Sequence, residues 1–566
     1  MTTWLQRHKW AFIVAVFVGM CAAMPMIVAP LYLGKTYHGI QYAPLDDEEI
    51  YRARIQDVLD GHWSVAQAHL YEYKDTASSV PPINEWLYAL PALIFGLSWV
   101  IVASKFLLPA ALFFFAYLLI RRLTEHELTA LAGGLLTFFS VEFADYGYIL
   151  SLLHGAWPRP LLWTRLVNPI VGVVELFVFL NLLFSIIKRE WKYAQWGAGA
   201  SLALMVGYYF SFGIALALLG VLFLIYLARK EYDIVKRLTF VALEALILTA
   251  PYWYSAFSAI GGSKDAAERT GMFFTHEPVL NKLLLVATVI CAALYCLARW
   301  RKALLEDKVP LYFSFALLAA GWIAFNEQVI TGRDIWHHHF VQYAIPMATI
   351  ATLTMLFFTL KQYRMWKWGM IAAIIVSLMF GLYSTRNIVP RLEGFIHQQS
   401  YGSLTSWLNA HTEKDCSVLV YEEEENAARF IPAYSHCNIY LTSYTFSGVP
   451  MERIKHNFFL RMRLFGVTPK DAQEYLRSHE SAVRGTFFKD WNQALMNSDP
   501  EWFEALVPEL AKEYGTFVKG NVEGQVRIYR VDFLASESPL PSALTRQLPH
   551  LKERAVIENW HMYGFE

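Results

Sequence analysis

Four consecutive acids, Asp46, Asp47, Glu48 and Glu49, follow the first long apolar run and open the segment DDEEIYRARIQDVLDG, which stops at Gly61. Carboxylates this close raise one another's pKa, can share a divalent cation, and can take a proton from a hydroxyl delivered from water. The plainer reading is that acids favour a helix N-terminus, where the dipole rewards them.

A second group runs Asn326-Glu327-Gln328, Gly332-Arg333-Asp334 and His337-His338-His339. Arginine grips phosphate oxygens in pairs, and histidine donates to them or ligates a metal, so the segment suits an anionic group. Three histidines in a row cannot all point one way. His339 is the first choice and His337 the second, since alternate residues share a side in an extended segment. Otherwise this is an interfacial loop whose Trp336 and histidines settle among headgroups.

A third group reads His154-Gly-Ala-Trp-Pro-Arg159, then Arg165-Leu-Val-Asn168-Pro169 ahead of another apolar run. Arg165 and Asn168 set a cation and an amide at a helix N-terminus, a favourable phosphate site. The same Arg165 serves equally as a structural anchor. Glu142 and Asp145 are paired acids that face this mouth as supporting groups, or that complement Arg159 or Arg165. His62, Glu85 and Arg269 are weaker candidates, more simply structural. Lys105, Glu175 and Glu244 lie inside apolar runs, where an ionisable group hints at function, although pairing or snorkelling accounts for each.

Positioning such groups falls to a chain with 56% hydrophobic and 16% aromatic residues, more than ordinary soluble domains carry, so lipid is the expected solvent. The 48 basic and 48 acidic residues cancel, and no nucleic acid partner is expected. At roughly 20 apolar residues per crossing, residues 1–389 predict an α-helical polytopic membrane domain of about 11 transmembrane helices. The run 193–228 is too long for one helix and predicts two, meeting near Ser211. The run from Trp10 to Leu33 is longer than a signal-peptide core and reads as a retained span. Basic clusters at Arg7/Lys9, Arg121/Arg122, Lys188/Arg189/Lys192, Arg229/Lys230/Lys236/Arg237, Arg299/Arg301/Lys302 and Lys361/Arg364/Lys367 all fall on one side. That side is cytoplasmic by the excess of Lys and Arg in cytoplasmic loops, with the N-terminus there and the C-terminus outside.

The first outer loop, 34–85, then carries a surface helix over Asp46–Gly61, and a second short helix over Asn84–Leu97 follows it. Residues 390–566 predict a soluble extracytoplasmic α/β domain. In it, strands at Ser417–Tyr421 and Asn438–Thr442 flank a helix around Asn426–Ala433, a βαβ unit. Cys416 and Cys437 begin the two strands, and an oxidising compartment would permit a disulfide, which the sequence leaves open. Helices are expected across 449–478, 484–497 and 500–514, with a strand pair near 515–532.

A first span, an outer loop with an acidic pair followed by Tyr51 and Arg54-Ile55, further spans and an outer C-terminal domain together resemble the GT-C superfamily of membrane glycosyltransferases. The layout is most similar to the protein O-mannosyltransferase and aminoarabinose-transferase branch, over about residues 1 to 390. The resemblance implies a polyprenyl-phosphate-linked sugar as donor, the lipid bilayer as setting, and transfer to an acceptor of unspecified class on the outer face. It also implies a general base or metal-binding acid in the first outer loop. That role falls on Asp47, with Asp46 the other candidate and Glu48 a helper; a divalent metal ion on Asp46 and Asp47 is an open option. Arg165, Arg333, His339, His337 and Asn168 would then meet the departing phosphate. A secondary transporter or flippase of a lipid-linked or small polar substrate is the principal alternative, though transporters tend to carry inverted repeats and none is evident. A non-catalytic membrane assembly protein is the other.

Overall fold

A computed structural model describes residues 2–45, 47–76, 78, 80–260, 272–300, 307–422, 426–442, 449–488 and 500–566. Asp46, Arg269, the Arg301 and Lys302 part of one basic cluster and the end of the helix expected over 484–497 lie outside the described residues.

Long apolar runs fold as helices because a helix satisfies every interior backbone group within its own segment. Among the described residues, seven such stretches are long and apolar enough to cross a membrane: Lys9–Thr36, Leu97–Thr124, Ile170–Lys188, Tyr209–Ala228, Lys282–Trp300, His337–Leu360 and Arg364–Gln398. This is fewer than the eleven expected. Helices do stand at the other expected positions, but Glu127–Phe138 and Val309–Phe325 are shorter apolar helices and Ala194–Leu204 has only 11 residues. Tyr232–Ile260 carries Glu244 and ends in a polar aromatic stretch around Pro251. The 193–228 run breaks at Met205–Tyr208, just before the turn expected at Ser211.

The basic connectors meet at one end of these helices. Arg122 donates to the Asn181 carbonyl and to Ser185 Oγ, each at 2.7 Å. Arg229 reaches the Tyr312 hydroxyl at 2.7 Å, Lys188 pairs with Asp307, and His8 Nδ1 lies 3.0 Å from the Tyr117 hydroxyl. Asp47, Glu48, Glu49 and the Arg165 segment are at the opposite end, where helix Leu97–Thr124 begins.

Beyond the last long helix, a five-stranded sheet runs in the order Asn438–Ile439, Ser417–Tyr421, Phe533–Ser536, Trp560–Phe565, Leu551–Ile557. The first three strands are parallel and the last two antiparallel. The expected βαβ unit is present: Ser417–Tyr421, helix Asn426–Tyr434 and Asn438–Ile439, with Ser417 opposite Asn438 and Val418 opposite Ile439. Cys416 and Cys437 at its two strand starts are joined as a disulfide, Cα to Cα 4.5 Å. The strand pair expected near 515–532 is instead the end of helix Pro500–Phe517 and a short helix Val522–Val526. Asn521 caps that short helix by accepting from the Gly524 amide, and the N-cap outweighs the weak alternation read as strand. The strands come later in the chain.

One apolar core extends from Ala11 to Phe380 through the long helices. A separate core under the sheet gathers Val418, Ile431, Ile439, Ala535 and Trp560, and it also takes in Ile40 of the first loop. The two parts pack so closely that the His38 carbonyl occupies the space a Cβ on Gly402 would need.

Candidate functional site

Three consecutive acids are dealt to three different elements. Asp47 stands at the N-cap position of helix Glu48–Asp60 yet makes no side-chain cap hydrogen bond; its carboxylate is ion-paired with Arg165. Glu48 turns inward to Lys105 of helix Leu97–Thr124, both side chains buried. Glu49 pairs with Arg429 of helix Asn426–Tyr434 at 2.9 Å. The dipole alone would leave all three facing solvent at a helix start; here each is claimed by a cation from elsewhere. Burial pushes the Glu48 carboxyl up to about 7, with Lys105 working against that rise.

Arg165 arrives on a firmly held loop. Glu142 accepts from the Leu162 amide at 3.0 Å, and the fully buried Trp163 donates from Nε1 to the Phe138 carbonyl at 2.7 Å. Val167, wholly buried, has φ +61°, a left-handed conformation that is costly for a β-branched residue and persists only where the surroundings impose it. The Arg165 guanidinium lies 5.7 Å from the Tyr51 ring and within electrostatic reach of the Tyr208 and Tyr343 hydroxyls; burial lowers its pKa from the usual value. Its buried Nε has no hydrogen-bond partner among the described residues, which leaves a charged donor for an anion.

Asn168 lies beneath. Its Oδ1 accepts from Asn84 Nδ2 at 2.8 Å, and its side chain hydrogen-bonds Tyr51. Asn84 is completely buried, and its own Oδ1 has no partner among the described residues. Gly207 permits this approach, since a Cβ there would lie 2.8 Å from Asn84 Oδ1.

The histidine loop divides. Residues His337–Phe340 form a 3-10 turn, not the extended segment that would have set His337 and His339 on one side. His339 reaches the Arg165 neighbourhood, stacked on Trp336 at 5.7 Å and edge-on to Phe210 at 5.0 Å, and the Arg165 charge acts on its ring. Its buried Nδ1 has no hydrogen-bond partner among the described residues. His337 is held by Asp334, ring to carboxylate at 2.5 Å. Arg333 is exposed, and no contact of the described residues brings it to Arg165. The strand Arg333–Ile335 pairs antiparallel with Met272–Phe274, and strand alternation turns Asp334 inward and Arg333 outward. Glu327 hydrogen-bonds the Tyr209 hydroxyl, and burial, together with Asp334, raises it to about 7.

Asp145 is consumed by the Tyr148 amide at 2.9 Å and by Arg159 at 2.5 Å, so of the supporting acids only Glu142 touches the Arg165 loop. His62 joins Asp75 and Asp415, and Glu85 pairs with Arg54 at 2.6 Å. Asn84, Tyr208 and Tyr343 escape sequence reading because each sits in or beside an apolar run. The one available signal was the Tyr208-Tyr209 pair at the break between two such runs.

Asp46, half of the pair expected to hold a divalent metal, lies outside the described residues. Asp47, Glu48 and Glu49 are each ion-paired with a different cation. Among the described residues, the single His/Cys/Asp/Glu cluster with ligand spacing is Cys416, His436 and Cys437, whose two cysteines are spent in the disulfide. A narrow cleft beside the site is lined by Met26, Tyr42, Lys105, Leu161, Thr164 and Asn387 among others. The chain matches no family model and no curated protein sequence. What the arrangement offers chemically is a carboxylate for a proton, a guanidinium for an anion, and buried hydroxyls and amides around them.

Proposed function

We propose that this protein is a polytopic membrane glycosyltransferase of the inverting type. It moves a sugar from a polyprenyl-phosphate donor to an acceptor on the outer face, with the N-terminus cytoplasmic and the sheet-bearing domain extracytoplasmic. The observation that carries the reading is the meeting of Asp47 with Arg165, from segments more than a hundred residues apart, at the end of the apolar helices away from the basic connectors. His339, Tyr51 and Asn168 gather around them.

In the mechanism, the donor phosphate competes with Asp47 for the Arg165 guanidinium and draws on its unpartnered Nε. Asp47, released, takes the acceptor hydroxyl proton as the acceptor oxygen attacks the anomeric carbon. The bond from that carbon to the phosphate oxygen breaks, its electron pair leaves with the phosphate, and the anomeric centre inverts. Arg165, with His339 beside it, stabilises the departing charge.

Replacing Asp47 by Asn removes the base and should lower transfer of a radiolabelled sugar by about 10²- to 10⁴-fold, with the protein still folded in detergent and still binding the donor. Unchanged transfer refutes the reading. One observation favours the transporter alternative: Glu175 lies in the Ile170–Lys188 helix, and its two carboxylate oxygens have no hydrogen-bond partner among the described residues. A transporter would move donor across vesicles without forming product, and D47N would leave that movement intact.

A further inference from the structure

The helix that carries Asp47 is gripped from above by the sheet-bearing domain. Arg429 meets Glu49, two residues from Asp47, at 2.9 Å, and the Glu49 side chain is only 2% exposed. Arg52, on the same helix, donates from Nε to the Ala433 carbonyl at 2.9 Å and stacks its guanidinium 3.9 Å from the Tyr434 ring. The Tyr434 hydroxyl accepts from the Gln41 amide at 3.0 Å, and Gln41 Oε1 in turn accepts from Arg52 at 2.5 Å. Arg52 and Gln41 both reach Ser98, at the start of helix Leu97–Thr124. Arg429 and Tyr434 belong to one helix, Asn426–Tyr434, which is the crossover of the βαβ unit. Its far end is tied to the sheet through the Cys416–Cys437 disulfide. A narrow cleft lined by Met26, Glu48, Glu49, Arg52, Leu166 and Tyr434 lies between the gripping helix and the Arg165 loop.

We infer that helix Asn426–Tyr434 is a positioning clamp for the reaction proposed above: Arg429 and Tyr434 fix the start of helix Glu48–Asp60 so that Asp47 faces Arg165 and the acceptor. The inference rests on that functional reading. Its physical basis is that a carboxylate at a helix start has no rigid support from its own element, and general-base catalysis is sensitive to misplacement by an ångström. A buried ion pair, a stacked guanidinium and a hydroxyl contact from a sheet-anchored helix supply the missing support. The clamp touches neither sugar nor phosphate, so it acts on turnover and not on donor binding.

The test uses the full-length protein in nanodiscs with a radiolabelled polyprenyl-phosphate sugar, and compares wild type with D47N, R429Q, R429K and Y434F. R429Q should lower kcat about tenfold or more, with donor KM within about twofold. R429K should recover part of the loss, and Y434F should lower kcat severalfold. Thermal unfolding is followed for each variant. Y434F removes one oxygen only and keeps the inference testable if R429Q does not fold. Full-rate turnover by R429Q and Y434F beside an inactive D47N overturns the clamp alone. A kcat loss that is matched by an equal rise in donor KM also overturns it. Active D47N overturns the functional reading, and the clamp with it.

Discussion

Lys105 would be an expensive residue in the middle of an apolar helix if it stood alone. It does not: Glu48, at the start of helix Glu48–Asp60, meets it, and both side chains are buried. Removing one member of such a pair leaves an uncompensated buried charge, so Lys105→Met should destabilise the protein by about 3–5 kcal/mol. The Glu48→Gln, Lys105→Met double variant should recover most of that, and chemical unfolding of the two variants checks it. A Lys105→Met protein of wild-type stability would mean that the pair is solvated. The same residue scale separates Asp47 from its neighbours. Glu48 and Glu49 meet buried or gripping cations, whereas the Asp47–Arg165 pair keeps 33% and 21% side-chain exposure, open enough for the exchange of partners that the proposed mechanism requires.

Among elements, the junction between the first loop and the sheet-bearing domain carries its own titration. Lys74 is buried between Asp57 and Asp415, 2.9 Å from each, and His62 bridges Asp75 at 2.8 Å and Asp415 at 3.0 Å. Burial by itself would lower the His62 imidazole, but the hydrogen bond to Asp75 leads the contributions that raise it above the ordinary 6.5, with Lys74 opposing and Asp57 and Asp415 helping. A raised histidine stabilises fully below its unfolded value and loses that contribution as pH climbs through the folded one. Asp415 is held below the usual carboxylate value, burial being outweighed by Lys74 and His62, so its contribution is lost only as pH falls to acid. As pH rises from the ordinary histidine value of 6.5 through the raised folded one, the junction should therefore weaken. Wild type should show a falling unfolding temperature over that window, and His62→Gln a flatter one; parallel curves would remove His62 from the junction. Much of this element level was legible in the sequence. The βαβ unit follows from apolar runs separated by a helical stretch, and helix Glu48–Asp60 from the acids, the apolar spacing and Gly61. The Asn521 cap, the 3-10 turn at His337–Phe340 and the outward face of Arg333 were not legible, because each depends on a local hydrogen bond or a strand partner distant in sequence.

At the scale of the whole molecule, the site is a product of topology. Segments around residues 47, 84, 165, 208 and 339 meet only because the long helices return to the same end, and no spacing rule in the sequence encodes that meeting. Composition marks the helices and the basic clusters mark their other end, which is why the architecture was more legible than the tyrosines and amides at the site. In the proposed transferase the labour divides: apolar helices bring a lipid-linked phosphate to Arg165, and the sheet-bearing domain holds the acid helix over it. The most direct measurement is an electron cryomicroscopy map of the full-length protein with a bound polyprenyl-phosphate. The phosphate should lie within about 3 Å of the Arg165 guanidinium, with Asp47 freed from its ion pair and facing the acceptor side. A phosphate seated beside Arg333 or at the basic end, with the Asp47–Arg165 pair undisturbed, would rule out the proposed transfer chemistry.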